Sequence, residues 1–344
     1  MKVVDMHCDT IGEILKDHQN GGNMSILENS LHIDLQKMKK GDYLLQNFGL
    51  FVHLESHANP FEYAMKLVDT FYTELEAHKD QIGIVKTWGD LEKNIAEGRM
   101  SAILTLEEGG MCLGETALLR DFYRLGARMM TLTWNFQNQL GYPNRMELHE
   151  GESYPRFLPD TEHGLTEKGI EFVQEMERLG MIIDISHLND AGIWDVFRYT
   201  KRPFVASHSN ARALASHPRN LTDDMIRALA ERGGVAGINF CAAFLRERDE
   251  TGQEPTHSYC RDMVAHMKHM KKIGGIGCIG LGTDFDGIGS IVEMKDCSGM
   301  QMLAEEMEKQ RFTGSEIEAV FSKNVLRVYK AVSYTHLRAH ETDS

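Results

Sequence analysis

The chain of 344 residues is 42% hydrophobic and 26% charged, the balance of an ordinary globular protein long enough for one barrel-sized domain. Its formal net charge of −14 repels phosphate backbones and anionic lipid, which disfavours nucleic acid and membrane surfaces as partners. The six cysteines, Cys8, Cys112, Cys241, Cys260, Cys278 and Cys297, form no C-x-x-C pair, so free thiols in a reducing cytoplasm are expected.

Met1-Lys2-Val3-Val4-Asp5 places an acid where a secretion signal needs its apolar stretch, and no run approaches the roughly 18 apolar residues of a membrane span. Apolar, β-rich runs follow at Val3–Asp9, Phe48–Leu54, Ala102–Glu107, Met129–Trp134, Met181–Ser186, Phe204–Ser207, Val235–Phe240 and Ile279–Asp284. Several are apolar almost throughout, as strands buried on both faces are. Amphipathic stretches lie between them. Four of these end in a basic residue and a nearby glycine, at Arg124-Leu125-Gly126, Arg178-Leu179-Gly180, Arg232-Gly233 and Lys272-Ile273-Gly274. A cation suits the last turn of a helix, and glycine takes the left-handed residue that ends it. One helix is expected after Thr166 as N-cap, with Ile170, Val173, Met176 and Leu179 on one side. Eight strands alternating with helices predict an α/β fold, a single (β/α)8 TIM-type barrel spanning residues 1–332.

Two segments break the rhythm. Residues 135–163 contain Pro143, Pro155 and Pro159 and predict a long loop over one end of the barrel, where a lid could sit. Residues 333–344 are polar and aperiodic and are set apart as a non-native or disordered tail. Gly275-Ile276-Gly277-Cys278-Ile279-Gly280 matches G-x-G-x-x-G, but a helix precedes it and a strand follows, the reverse of a dinucleotide site. His266 and His269 sit among lysines and are assigned to a solvated basic helix face.

Catalytic groups of such barrels lie at the C-terminal ends of the strands. There this chain carries His7-Cys8-Asp9, Glu107-Glu108-Gly109-Gly110, Asp184-Ile185-Ser186-His187, Ser207-His208-Ser209 and Thr283-Asp284-Phe285-Asp286. Strand alternation turns His7 and Asp9 to one face and Cys8 to the other. Five strand ends drawing on His, Asp and Glu predict a divalent transition-metal site, with zinc first and manganese, iron or cobalt as alternatives.

In these segments, and in Pro218-Arg219-Asn220, the chain resembles the membrane (renal-type) dipeptidase family and its bacterial relatives from about Val3 to about Val332. The resemblance implies a peptidase with two Zn2+ ions per chain. His7 and Asp9 would hold one ion and His187 and His208 the other, and Glu108 would bridge them. The pair would share a hydroxide that attacks the scissile carbonyl of a dipeptide. Asp284 would carry a proton to the leaving amine and Arg219 would grip the free C-terminal carboxylate. A homodimer and tolerance of a C-terminal D-residue are also implied. The family's renal type has a histidine after the fourth strand; here Thr131-Leu132-Thr133-Trp134-Asn135 puts Trp134 in its place and leaves Asn135 as a neutral hydrogen-bond donor to substrate. Its lipid anchor and disulfides are not carried over as expectations for this chain. The competing readings are another binuclear-metal amidohydrolase acting on a small cyclic amide, and a non-catalytic binding protein on the same barrel.

Overall fold

Each of the eight apolar runs contains an extended segment, in the predicted order, though with shifted ends. In the computed structural model, which describes residues 1–148 and 154–341 with side chains through Val332, these are β1 (Val3–Asp5), β2 (Tyr43–Phe51), β3 (Met100–Glu107), β4 (Ala127–Thr131), β5 (Ile182–Asp184), β6 (Val205–Ala206), β7 (Val235–Ile238) and β8 (Ile279–Leu281). Consecutive strands pair in parallel, β2 with β3 from Leu45↔Ser101 to Phe51↔Glu107. β8 returns to β1 through Leu281↔Asp5, so the sheet closes into a (β/α)8 barrel. A short extra strand, Ile82–Ile84, pairs with the start of β3.

β2 begins five residues before the predicted run because polar Gln46 and Asn47 are buried within it. Asn47 donates to the Tyr329 hydroxyl inside the barrel, a partner 282 residues away that local pattern could not supply. β1 is regular through Asp5, and residues 6–9 carry the chain into the mouth while keeping backbone bonds to both flanks, Met6 N–H to the Leu281 carbonyl and Gly49 N–H to the Cys8 carbonyl, with Cys8 bridging Phe285.

Burial divides the apolar residues into two layers. One residue from each of β1 to β7 (Val4, Leu45, Ile103, Met129, Ile182, Val205 and Val235) packs inside the barrel against Val325, Val328 and Tyr329 of the last helix, Asn324–Glu341. Opposite-parity residues such as Ala102, Leu104 and Leu106 join the larger cluster beneath the outer helices. Each fully buried aliphatic side chain contributes roughly 1.5–3 kcal/mol. The last helix therefore plugs the N-terminal end, and the open end is the one carrying the polar strand ends.

Three of the four predicted helix-ending glycines, Gly126, Gly180 and Gly233, adopt positive φ. Thr166 caps Glu167–Leu179 by accepting from the Gly169 N–H, and Gly180 ends the helix at φ 72°. The helix before β8 runs Cys260–Gly274, and the positive φ falls one residue later than predicted, on Gly275. His266 departs from its assignment. It is fully buried, with Nδ1 accepting from the Ala211 N–H at 3.1 Å and Nε2 bonded to the Leu245 carbonyl at 3.0 Å. His269 instead pairs with Asp223 at 2.6 Å.

The loop after β4 carries an antiparallel pair, Arg145–Glu147 with Arg156–Leu158, and its residues 149–153 lie outside the described residues. In the segment set apart as a tail, the backbone of the last helix continues to Glu341, and residues 342–344 lie outside the described residues. No helix among the described residues is long and apolar enough to cross a membrane.

Candidate metal centre and substrate cleft

Glu107 stands at the centre of the polar cluster. Its Oε2 lies 3.0 Å from His7 Nε2 and its Oε1 lies 3.1 Å from His187 Nε2. His7 Nε2 is also 3.4 Å from Asp9 Oδ2 and 3.9 Å from Asp284 Oδ1. On the other side His187 Nε2 and His208 Nε2 approach to 3.0 Å. The His7 and His208 rings stack at 4.1 Å. One carboxylate thus faces two half-sites, His7 with Asp9 and His187 with His208.

Glu108, the residue expected at that position, faces away, and this corrects the expectation. Strand parity is the reason. Ile103 points into the barrel, so Glu107, four residues on in the same strand, points the same way, whereas Glu108 lies past the strand end and turns to the loop after β4. Glu108 is fully buried, and its Oε2 accepts from the Trp134 N–H at 2.9 Å and from Asn138 Nδ2 at 2.7 Å. Burial, with a smaller push from Glu107, raises its carboxyl to about 8 against those hydrogen bonds. It supports the loop after β4.

The orientation of the imidazoles indicates what the cluster holds. His187 Nδ1 lies 3.2 Å from Asn135 Oδ1, an acceptor, so Nδ1 carries the proton. His208 Nδ1 lies 2.7 Å from Ser207 Oγ. That hydroxyl gives its own proton to Asp184 Oδ2 and so accepts from His208 Nδ1–H. Both Nε2 atoms then present lone pairs to one another at 3.0 Å, which is repulsive without a cation between them. His7 Nε2 meets its carboxylate neighbours without hydrogen-bond angles, and Asp9 Oδ1 is buried and unpartnered among the described residues. Two His, one Asp and a shared Glu, with a third His, are a donor set for divalent transition metals, and three overlapping triads drawn from these residues and Asp284 lie within ligand spacing.

The electrostatics agree. Burial drives the Asp284 and Asp9 carboxyls up, to about 7 and about 6, and their negative neighbours add to this. Burial opposes ionisation of Glu107 too, but the nearby His7 ring, and then that of His187, hold it well below the usual range. Burial and then Arg219 depress His187 to about 4. A neutral imidazole is the ligating form.

Supporting residues hold this geometry. Asp184 accepts from Thr131 Oγ1, Ser186 N–H and Ser207 N–H at 2.8–3.0 Å. Asn239 donates to Asp284 Oδ2 at 2.9 Å. Gly49 lies behind His7, where a Cβ would come within 2.7 Å of the imidazole Cε1. Above the cluster opens a cleft of about 360 Å³, lined by Glu13, Phe51, Trp134, Asn135, Cys241 and Phe244 among others. Arg219 is nearly buried beside it. Its guanidinium lies 3.4 Å from Ser209 Oγ and the His208 carbonyl and 5.3 Å over the Phe244 ring. Its Nε has no partner among the described residues.

The family model for membrane dipeptidase, peptidase family M19, matches residues 1–343. The chain belongs to the membrane dipeptidase family. It is 32% identical over 330 residues to an uncharacterized dipeptidase of Schizosaccharomyces pombe, covering 90% of this chain and 75% of that protein. It is 34% identical over 243 residues, 71% of this chain and 86% of the relative, to an uncharacterized protein in the pqqA 5′ region of Klebsiella pneumoniae. Among solved structures, a Rhodobacter sphaeroides metallopeptidase liganded with a phosphinate mimic of the dipeptide L-Ala-D-Ala superposes with a TM-score of 0.84 at 25% identity, over 96% of this chain and 99% of that one. The metallopeptidase dipeptidase AC, also of family M19, gives the same TM-score and identity over 97% and 99%. The function class is metallo-dipeptidase.

In this dipeptidase the barrel brings His7, Asp9, His187, His208 and Asp284 to one centre, with Arg219 and Asn135 at its edge. Sequence reasoning missed Glu107 as the inward acid, although the alternation of Ala102, Leu104 and Leu106 marked the outer face. It also missed Asn239 and the Asp184–Ser207 support, whose roles depend on contacts across strands.

Proposed function

We propose that the chain hydrolyses dipeptides with a free C-terminal carboxylate, using two divalent cations, zinc foremost, held by His7 and Asp9 on one side, His187 and His208 on the other, and Glu107 between. The facing Nε2 lone pairs of His187 and His208, 3.0 Å apart, carry this reading. Cations bound there supply Lewis acidity, polarising a carbonyl and making a water nucleophilic near neutral pH. Arg219 binds the substrate carboxylate with its guanidinium and so sets the scissile carbonyl over the cluster. Asp284, oriented by Asn239, takes the proton that the attacking water gives up and delivers it to the departing amine nitrogen. Asn135 spends its oxygen on His187 Nδ1 and leaves its NH2 for the substrate carbonyl. The likeness to a protein liganded with an L-Ala-D-Ala mimic supports acceptance of a D-residue at the second position.

Metal analysis coupled to turnover of a dipeptide library, with hydantoins and phosphotriesters as controls, tests the reading. About two equivalents of metal and hydrolysis confined to dipeptides are expected. Hydrolysis of the controls alone, or no bound metal and no turnover after metal addition, overturns it.

A further inference from the structure

Trp134 does not stand alone at the cleft. Its ring lies 4.9 Å from Phe51, 5.4 Å from His53 and 5.2 Å from Phe136. It is 6.0 Å from the His187 ring, so this aromatic wall adjoins the metal cluster. Phe51 and Trp134 are both half-buried and line the cleft itself. The wall is held from behind: the Trp134 N–H is fixed by Glu108, which in turn takes a hydrogen bond from Asn138.

Strand order gives the wall its direction. Phe51 ends β2 and Trp134 follows β4, whereas Arg219 lies on the segment between β6 and β7. In a closed ring of eight, β2 stands opposite β6. A dipeptide with its carboxylate at Arg219 and its scissile carbonyl at the central cluster must extend its first residue to the far side of the ring. The side of Arg219 has its own apolar surface, Phe244, for the second residue.

We propose, resting on the dipeptidase reading above, that Phe51 and Trp134 form the subsite for the first residue's side chain and select aromatic or large aliphatic groups there. The planar rings supply apolar contact area, and a first-residue side chain too short to reach them leaves that area wet.

The test is steady-state kinetics of the metal-loaded enzyme on two series, Xaa-Ala and Ala-Xaa, with Xaa as Gly, Ala, Leu or Phe and the second residue in both L and D forms. Phe-Ala is expected to exceed Gly-Ala in kcat/KM by about 10-fold or more, the scale on which apolar pockets discriminate. Trp134→Ala and Phe51→Ala should each collapse that ratio several-fold, while the Ala-Phe to Ala-Gly ratio changes less than about 2-fold. Trp134→Phe, which keeps a ring on the wall, should retain most of the first-position preference and guards against a merely misfolded alanine variant. Turnover with no first-position preference in the wild type, or an alanine variant that alters both series equally, overturns the subsite alone. Absence of turnover on every dipeptide overturns the dipeptidase reading and the subsite with it.

Discussion

Ser207 Oγ stands 2.7 Å from His208 Nδ1 and links that ring to the buried Asp184 carboxylate. A hydroxyl between carboxylate and imidazole fixes the tautomer and aims Nε2 at the cluster. Ser207→Ala removes the link without touching a proposed ligand. It should lower metal affinity about 10- to 100-fold, read by competition with a chromophoric chelator, and Ser207→Thr should restore most of it. Unchanged affinity in the alanine variant would show that packing alone holds His208.

Glu107 and Glu108 are neighbours with opposite duties, and neutral variants should separate them. Glu107→Gln removes the carboxylate facing both half-sites and should cost more metal affinity than the roughly 10–100-fold of a supporting residue, with turnover lost. Glu108→Gln keeps an oxygen able to accept from Trp134 and Asn138, so metal content should stay near that of the wild type. Metal content by elemental analysis decides; loss in Glu108→Gln with retention in Glu107→Gln would reverse the assignment.

This pair also marks how far the sequence could be read. The eight strands and their order were legible because each is a dense apolar run, and the metal-competent residues because polar groups terminate those runs. Choosing between adjacent acids required strand parity, which the outward-facing Ala102, Leu104 and Leu106 encode but which resemblance to a Glu-Gly-Gly motif obscured. The Asn47–Tyr329 bond and the burial of His266 were not legible. Both depend on partners far away in sequence, and His266 sits among lysines that look solvent-facing in isolation.

Arg219 is expected to act on binding. Its backbone N–H is fixed by His217 Nδ1 at 3.1 Å, and the His217 ring lies 4.7 Å from both Phe157 and Phe244. Arg219→Ala should reduce kcat/KM about 100-fold on dipeptides with a free carboxylate and much less on carboxyl-amidated ones. His217→Ala should raise KM several-fold with a smaller change in kcat, since it loosens the arginine without removing it. Equal losses on free and amidated substrates would place Arg219 outside carboxylate recognition.

His266 should make stability depend on pH independently of the metal site. Burial, which strips water from the charged ring, pushes its pKa down to about 4 from an ordinary 6.5, with a smaller push from His269, and protonation would also remove the lone pair that accepts from the Ala211 N–H. Between those values the unfolded chain binds a proton that the folded one refuses. The stabilisation is therefore complete above pH 6.5 and is lost as pH falls toward 4, by up to about 3 kcal/mol at roughly 1.4 kcal/mol per unit. Wild type and His266→Gln should be compared by urea unfolding at pH values from about 7.5 down to about 4.5, which bracket most of that window. The variant should be less stable at the upper end, and the gap should narrow as the solution is acidified. A gap that stays constant over that range would mean that His266 titrates alike in the folded and unfolded chains.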